Sequence, residues 1–376
     1  MGKKNFDDYG DIYIYLSNRN YHPGEQVNGM VYVNLQKKFP AGAITLKLEG
    51  KEKFKHYWAE YHSVEDGNGG RRQEKEIKHE SEKKGAFKAE FPIASFPGKK
   101  IPEGQYQFPV CFVLPSDIPS SFNYKWKNEG EKCYAKIEYE MKVKLEAHGE
   151  DGDDLLKCKQ VFIVNAPLKS WPESKSKSET KEITCYCCFG KGPMKISSHF
   201  DKDAYMPGET AQAYIEVENG SSYECEKLTA ELIQYIEMKG KRTTNKDKTL
   251  SQTDGDSVKA GENCTGENAR MMRIAIKGVD QKDDDGNVFY NTTCKGKIIK
   301  CHYKLSIIGH MECGGCICDK APDCDIPIQL YTPSMPAMAE YMAPMGWAPQ
   351  MYPLYTADLG GAQMGAGMQM PPQPHY

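Results

Sequence analysis

Short segments whose apolar residues recur with a period of two run through most of this chain. Examples are "DIYIYL", "MVYVNL" and "ITLKLEG" in the first half and "MKISSHF", "AQAYIEVE" and "LTAELIQYIEM" in the second. This period is the signature of a β-strand with one buried face, because successive side chains point to opposite faces of a sheet. No window of about a dozen residues shows the period of an amphipathic helix. Regularly spaced short strands with turn residues between them predict antiparallel β-sandwiches.

One hairpin-like segment occurs twice, 184 positions apart. Residues 21–35 read "YHPGEQVNGMVYVNL" and residues 205–219 read "YMPGETAQAYIEVEN". Pro fixes φ and Gly accepts the positive φ of a type II turn, so we expect Gly24 and Gly208 to occupy equivalent turns. Any two β-sandwich halves could share such a hairpin. The apolar positions that flank both copies keep the same offset, however, and this favours a duplicated β domain.

The length of 376 residues accommodates two such domains, at about 100–200 residues per domain. Between them, "APLKSWPESKSKSETKE" has the Pro, Ser and charge content of a linker. From Thr332 onward the chain is rich in Pro, Met, Gly and Ala, a composition that cannot bury a core. Charged insertions at 60–86, 239–265 and 280–287 predict exposed loops or disorder.

The predicted fold class is therefore all-β, with two tandem immunoglobulin-like antiparallel sandwiches and a disordered C-terminal tail. The predicted boundaries are a first sandwich over residues 8–167, a linker with a cysteine cluster over 168–189, a second sandwich over 190–333 and a tail over 334–376.

Charge and targeting signals narrow the class of protein. The chain has 49 basic and 52 acidic residues, so it has no positive excess for nucleic-acid binding. No segment approaches the ~20 apolar residues that a transmembrane helix needs. The start, "MGKKNFDDYG", lacks the apolar region of a signal peptide. We therefore expect a cytoplasmic protein whose cysteines stay reduced, and residues such as Cys111 in "FPVCFVL" to be small core residues.

Motifs for catalysis are missing from the sequence. It contains no Gly-x-Ser-x-Gly elbow, no His-Glu-x-x-His pair, no phosphate-binding Gly-Lys-Ser/Thr loop and no dinucleotide fingerprint. A redox dithiol at "CGGC", residues 313–316, would normally lie at a helix N-terminus, and no helical pattern follows it. We predict no enzymatic activity, no catalytic residues and no organic cofactor. A metal- or redox-dependent enzyme at the cysteine clusters is the less favoured alternative.

Two cysteine clusters, "CYCC" at 185–188 and "CGGCIC" at 313–318, favour a structural zinc site. Cys-x-x-Cys turns can present two thiolates to one tetrahedral zinc ion. In an immunoglobulin-like second sandwich, one cluster would precede the first strand and the other the last, at the same end of the domain. S-acylated cysteines near a membrane and plain reduced thiols are the competing interpretations. The predicted ligands are Cys185, Cys188, Cys313 and Cys316, with Cys187 and Cys318 as alternates.

The string "EGQYQFPVCFVLPSDIPSSF", residues 103–122, is the most specific in the chain. It resembles the arrestin superfamily, whose α-arrestin members show Gly-x-Tyr-x-Phe-Pro-Phe-x-Phe-x-Leu-Pro-x-x-Leu-Pro-Ser-Ser-Phe, with Val110 and Ile118 as departures. "YLSNRNY" near the start and "DIPIQLYTP" at residues 325–333 are similar to other arrestin segments. The resemblance covers roughly residues 11–333.

This resemblance implies two arrestin-type sandwiches and a function. It implies a cytosolic, non-catalytic adaptor that links membrane-protein cargo tails to endocytic or vesicle trafficking, peripheral at the plasma membrane or endosomes. Cargo would bind on the sheets or add a strand to an exposed edge. A retromer-type coat scaffold is the alternative. Receptor-desensitising arrestins have a buried Asp where this chain has Asn20, and the strand "KQVFIVN" lacks its Arg partner, so we expect no phosphate-broken salt bridge here.

The resemblance also implies a role for the tail. α-Arrestins recruit WW-domain ubiquitin ligases through Pro-Pro-x-Tyr motifs, in which prolines pre-form a polyproline helix. The C-terminal "MPPQPHY" keeps only half of that motif, at Pro374 and Tyr376. "APQMYPLY" offers Tyr352 and Tyr355 among single prolines as another partial match. This half-motif predicts weak WW-domain binding at best, and a disordered, Met-rich tail that binds apolar surfaces is the favoured interpretation.

Overall fold

The structure, a computed structural model, describes residues 9–65, 71–146, 155–185, 189–278, 280–282, 288–311, 322–333 and 343–359. The regular structure of these residues is β-strand, apart from two single 3-10 turns at Pro97–Lys99 and Gly266–Asn268. The sheets pair into two tandem antiparallel sandwiches. The predicted all-β class is confirmed.

Nine strands form the first sandwich. They are β1 (Gly10–Leu16), β2 (Asn20–Tyr21), β3 (Gln26–Leu35), β4 (Ala43–Glu65), β5 (Arg71–Ser95), β6 (Gly104–Val113), β7 (Phe122–Asn128), β8 (Glu131–Glu146) and β9 (Leu155–Val164). One sheet has the order β1-β3-β6. The other has the order β2-β9-β8-β4-β5, and β7 pairs with the first half of β8.

The second sandwich repeats this plan with added strands. They are β10 (Lys175–Cys185), β11 (Phe189–Phe200), β12 (Ala204–Tyr205), β13 (Thr210–Asn219), β14 (Cys225–Lys239), β15 (Thr243–Gly255), β16 (Asn263–Cys264), β17 (Arg270–Ala275), β18 (Asp280–Lys282), β19 (Val288–Tyr290), β20 (Cys294–Lys295), β21 (Ile299–Met311) and β22 (Asp323–Leu330). Two tail strands follow, β23 (Gln350–Met351) and β24 (Tyr355–Asp358).

The internal repeat is visible strand by strand. The order β2-β9-β8-β4-β5 returns as β12-β22-β21-β14-β15, and β1-β3-β6 returns as β11-β13-β17. Gly24 has a φ of 81° and Gly208 a φ of 96°. The carboxylate of Glu25 accepts a hydrogen bond from the backbone amide three residues earlier at 2.7 Å, and that of Glu209 does the same at 2.8 Å. The predicted duplication and the equivalent turns are confirmed.

The segment that carries the family resemblance forms β6 and the loop after it. Phe108, Val110 and Phe112 are almost fully buried in the core, while the residues between them are only half-buried. Burying a side chain such as Phe stabilises a fold by roughly 1.5–3 kcal/mol. The loop is held against the first repeat hairpin, since the Gly24 amide donates to the Pro115 carbonyl at 3.2 Å.

Three segments predicted as irregular are strands. Part of the predicted linker, residues 168–189, is β10, and the insertions at 60–86 and 239–265 contain the outer ends of β4 and β5 and all of β15. Both faces of these strands carry mostly polar side chains, so apolar residues do not recur along them with a period of two. Among the described side chains of β10 only Ile183 is fully buried, and a Lys-rich edge strand resists pairing with other chains.

Polar side chains join the two sandwiches. Glu52 on β4 is fully buried, and its carboxylate accepts hydrogen bonds from the amides of Lys297 (2.8 Å) and Ile298 (2.9 Å). The Asn123 amide donates to Asn291 Oδ1 at 3.0 Å, and Asn291 Nδ2 donates to the Asn123 carbonyl at 2.8 Å. Buried polar groups are costly unless they are hydrogen-bonded, so these contacts fix the domains against each other.

Candidate functional site

The tail returns to the first sandwich and lengthens one of its sheets. Gln350–Met351 pair in parallel with Tyr106 and Gln107, and Tyr355–Asp358 pair in parallel with residues 110–113 of β6. The Tyr352 amide donates to the Gln107 carbonyl at 2.9 Å. The edge strand β6 therefore carries an added strand, which is the geometry of peptide binding by β-addition.

Two tyrosines anchor this added strand. The ring of Tyr352 packs at 4.7 Å from Phe108 and at 6.1 Å from Phe96. The ring of Tyr355 stacks on Phe91 of β5 at 4.8 Å with an interplanar angle of 15°. Burial raises the pKa of the Tyr355 hydroxyl. Because β5 and β6 belong to different sheets, the tail covers the open side of the sandwich between them.

Prolines divide the added strand into two short parts. Tail residues 352–354 lie opposite only Phe108 and Pro109, between the two paired stretches. Pro109 and Pro353 have no amide hydrogen, so the ladder cannot continue through them. This explains why β23 and β24 are separate and why the tail bulges between its two anchors.

The tail approaches β6 across the outer face of the sheet. The Trp347 ring lies edge-on to Tyr13 of β1 at 5.5 Å. The Ala348 amide donates to Gln105 Oε1 at 2.7 Å. Contacts to both β1 and β6 position the segment before its first pairing with β6.

The structure describes part of the tail predicted over 334–376, namely residues 343–359. These residues lie against the first sandwich, where the half-buried rings of Tyr352 and Tyr355 pack against its core. The sequence contains a signal for this: "YTADL", residues 355–359, alternates apolar and polar residues. Pro374 and Tyr376 lie outside the described residues.

The position that distinguishes this chain from receptor-desensitising arrestins is uncharged in the structure. Asn165 Nδ2 donates a hydrogen bond to Asn20 Oδ1 at 3.4 Å. Asn20 lies on β2 and pairs with Ile163 of the parallel strand β9, and Asn165 directly follows β9. An amide pair has no charge for a phosphate to disrupt, which agrees with the sequence argument.

The predicted zinc ligands lie outside the described residues, apart from the backbone of Cys185 at the end of β10. Neighbouring backbone positions are described. The Ser222 amide donates to the Lys191 carbonyl at 2.8 Å, and Cys225 pairs with Met311. The β10–β11 hairpin and the end of β21 therefore lie at the same end of the second sandwich.

Apart from Cys111, the cysteines whose side chains the structure describes are buried core residues rather than reactive thiols. Burial raises the pKa of Cys133 to about 11 and that of Cys301 to about 12, so both stay protonated at neutral pH. Cys111 differs from the prediction, since it lies half-buried on the outward face of β6.

The one described cluster of metal-ligand residues is Glu60, His62 and Glu76 on the exposed β4–β5 hairpin, where Lys78 pairs with both carboxylates.

In the described part of the chain, no helix has the length and apolarity needed to cross a bilayer.

Comparisons with known proteins follow the two sandwiches. The family model described as arrestin (or S-antigen), N-terminal domain, matches residues 10–169, and the corresponding C-terminal domain model matches residues 190–335. Arrestin domain-containing protein A of Dictyostelium discoideum is 26% identical over 237 residues, or 62% of this chain and 39% of that protein. Arrestin domain-containing protein 1 of Homo sapiens is 28% identical over 165 residues, or 43% and 36%. The chain thus spans less than two-fifths of the length of these two relatives.

Proposed function

Because this chain belongs to the arrestin family, with an arrestin N-terminal and an arrestin C-terminal domain in tandem, we propose that it is a non-catalytic trafficking adaptor. It binds cytosolic tails of membrane-protein cargo and presents them to the endocytic or vesicle machinery. It acts at the cytoplasmic side of the plasma membrane or endosomes. The matched relatives carry arrestin domain-containing names and lend no support to the retromer-type alternative.

The observation that carries this proposal is the peptide already added to β6. The segment 350–358 lies on β6 as an interrupted parallel strand, with the rings of Tyr352 and Tyr355 packed against Phe108 and Phe91. Main-chain pairing accepts almost any extended peptide, and these two ring contacts select aromatic residues three positions apart. In this proposal the tail occupies the cargo site until a cargo tail with similar anchors replaces it.

A competition experiment tests the adaptor proposal. A fluorescent peptide of residues 346–360 is titrated into the wild-type chain and into a Tyr352→Ala/Tyr355→Ala variant, whose own tail is weakened. We expect at least about tenfold tighter binding to the variant, because the tethered wild-type tail competes at a high effective concentration. The same peptide with both tyrosines replaced by alanine is the control and should not bind.

Peptides from the cytosolic tails of membrane proteins then compete with this probe. Displacement by tails with two aromatic residues three apart supports cargo binding at β6. If the probe binds but no membrane-protein tail displaces it, the adaptor proposal at this edge is wrong.

Ligase recruitment is a finer proposal and rests on the last residues of the chain. Pro374 and Tyr376 keep the Pro-x-Tyr half of a WW-domain ligand. Titration of a peptide of residues 366–376 against a panel of WW domains tests it. Micromolar binding that Tyr376→Ala abolishes supports recruitment, and an absence of saturable binding contradicts it.

A further inference from the structure

A second surface, on the opposite sheet of the first sandwich, is strongly basic. Six exposed lysines lie on one face of the strands β5, β4, β8 and β7. Residues opposite one another in a ladder share a face, and the register places these side chains together. We call this surface the lysine face; its members are Lys53, Lys55, Lys83, Lys125, Lys127 and Lys132.

The lysine face contrasts with the other half of the same sheet. There, lysines and glutamates alternate: Lys51 pairs with Glu49 at 2.6 Å and with Glu140 at 2.9 Å, and Lys142 pairs with Glu140 at 2.5 Å. On the lysine face no ion pair links any of the six lysines to another described residue. One half of this sheet face is therefore ion-paired, whereas the six lysines of the other half form no ion pair with the described residues.

The placement of lysines on this face destabilises the folded state. Lys53 lies directly opposite Lys83 on one side and Lys136 on the other, and Lys127 lies directly opposite Lys132. Like charges placed directly opposite one another in a sheet are destabilising. Domain packing does not require them, because the reverse side of these strands contacts the second sandwich, as where Cys133 Sγ lies 3.2 Å from Met238 Sδ.

The lysine face also contains grooves, and exposed apolar side chains lie beside them. Two adjoining grooves of about 490 and 850 Å³ run across it, and Lys55 and Tyr134 line both. Ile77 is 67% exposed beside the second groove, and Tyr61 is 59% exposed further along the same hairpin. No arginine lines either groove. The chain as a whole has a net charge of −3, so this positive field is local.

We propose that the lysine face binds the surface of a bilayer that contains anionic lipids. Spaced ammonium groups without arginine suit a diffuse anionic surface, whereas planar, bidentate recognition of a phosphopeptide favours arginine. Juxtamembrane lysines gain free energy from the negative cytoplasmic leaflet. Tyr61 and Ile77 supply side chains that enter the headgroup region. This inference rests on the proposed peripheral adaptor function and identifies the surface that faces the membrane.

Vesicle cosedimentation with the full chain tests the proposal. Vesicles of phosphatidylcholine alone are compared with vesicles that also contain phosphatidylserine. We expect binding only to the anionic vesicles, and a loss of binding as added salt screens the charges. The variant Lys55→Gln/Lys125→Gln/Lys132→Gln should bind on the order of 100-fold more weakly, because each lysine near an anionic leaflet contributes about a fivefold factor.

A matched control removes the same charge elsewhere. Lys241, Lys248 and Lys259 are exposed lysines of the second sandwich, and the triple Gln variant at these positions should bind vesicles like the wild type. Thermal unfolding checks that both variants fold; the lysine-face variant should be at least as stable as the wild type, because it relieves like-charge repulsion.

Three results would overturn the proposal. They are the absence of binding to anionic vesicles, equal losses in both triple variants, and lysine-dependent binding to an acidic peptide without vesicle binding. The peptide titration at β6 contains no lipid, so failure of the lysine-face proposal and failure of the adaptor proposal are separate results.

Discussion

At the scale of single residues, Glu52 links the two sandwiches. Its carboxylate accepts hydrogen bonds from the amides of Lys297 and Ile298, about 245 positions away along the chain. Its carboxylate also accepts from the Ile299 amide at 3.3 Å, so one side chain satisfies a whole turn of the second sandwich.

The Glu52 contact makes a prediction about stability. Glu52→Ala leaves the amides of Lys297 and Ile298 buried without acceptors, so we expect a loss of about 3 kcal/mol in the free energy of unfolding. Glu52→Gln keeps one acceptor oxygen and should lose less. Urea denaturation measures both, with the exposed Glu65→Ala as control. Equal stability of the Glu52→Ala variant and the control would contradict this role.

At the scale of elements, a strand can be predicted from the sequence when apolar and polar residues alternate along it. Strands with one apolar face, such as β3 and β13, are recognisable because burial imposes a period of two. β10 and the outer hairpin of β4 and β5 are polar on both faces, so backbone pairing forms them without that signal. The tail strands are too short and too interrupted by proline to identify alone. The pairing of the tail with β6 could therefore be identified only from the structure, although the sequence analysis predicts strand addition to an exposed edge.

The ion-paired half of the β4–β8 sheet predicts a pH dependence. Burial alone would raise the pKa of the Glu140 carboxyl, but hydrogen bonds from Lys142 and Lys51 overcome this and hold the pKa at about 2. Since an unfolded glutamate titrates near pH 4.3, the contribution of Glu140 to stability is present above about pH 4.3 and is lost as the pH falls toward about 2. In Glu140→Gln that part of the acid destabilisation should disappear. Unfolding midpoints measured between these two pH values test it, and parallel curves for variant and wild type would refute it.

The strand ends of the second sandwich support the zinc proposal. The β10–β11 hairpin and the end of β21 lie at one end of the domain, and each is adjacent in sequence to one of the two cysteine clusters. We expect about one equivalent of zinc in the purified chain, lost in Cys313→Ser/Cys316→Ser together with some stability, because metal binding is coupled to folding. Elemental analysis and thermal unfolding measure both. The buried Cys301→Ser variant is the control and should keep its zinc. Metal-free protein of unchanged stability would leave acylated or reduced thiols as the interpretation.

On the scale of the whole molecule, duplication gives two sandwiches of one plan, and function depends on how they differ. The first has the tail on β6 and the lysine face; the second has β10 on the outer edge of its first sheet. Part of the interface between them is built from hydrogen bonds of buried polar groups rather than from apolar packing. Such an interface tolerates little displacement of one sandwich against the other, because a displaced polar group loses its hydrogen-bond partner inside the protein.

These buried hydrogen bonds between the sandwiches predict that the two domains unfold together. The Asn291 side chain supplies an acceptor and a donor to the backbone of Asn123, so Asn291→Ala leaves two buried groups without partners. We expect one calorimetric transition for the wild type and two for Asn291→Ala, as the sandwiches begin to unfold independently. Asn245→Ala, at an exposed position of β15, is the control and should keep the single transition. A single unshifted transition in the Asn291 variant would show that other contacts couple the domains, and two transitions in the wild type would show that the sandwiches are thermodynamically separate.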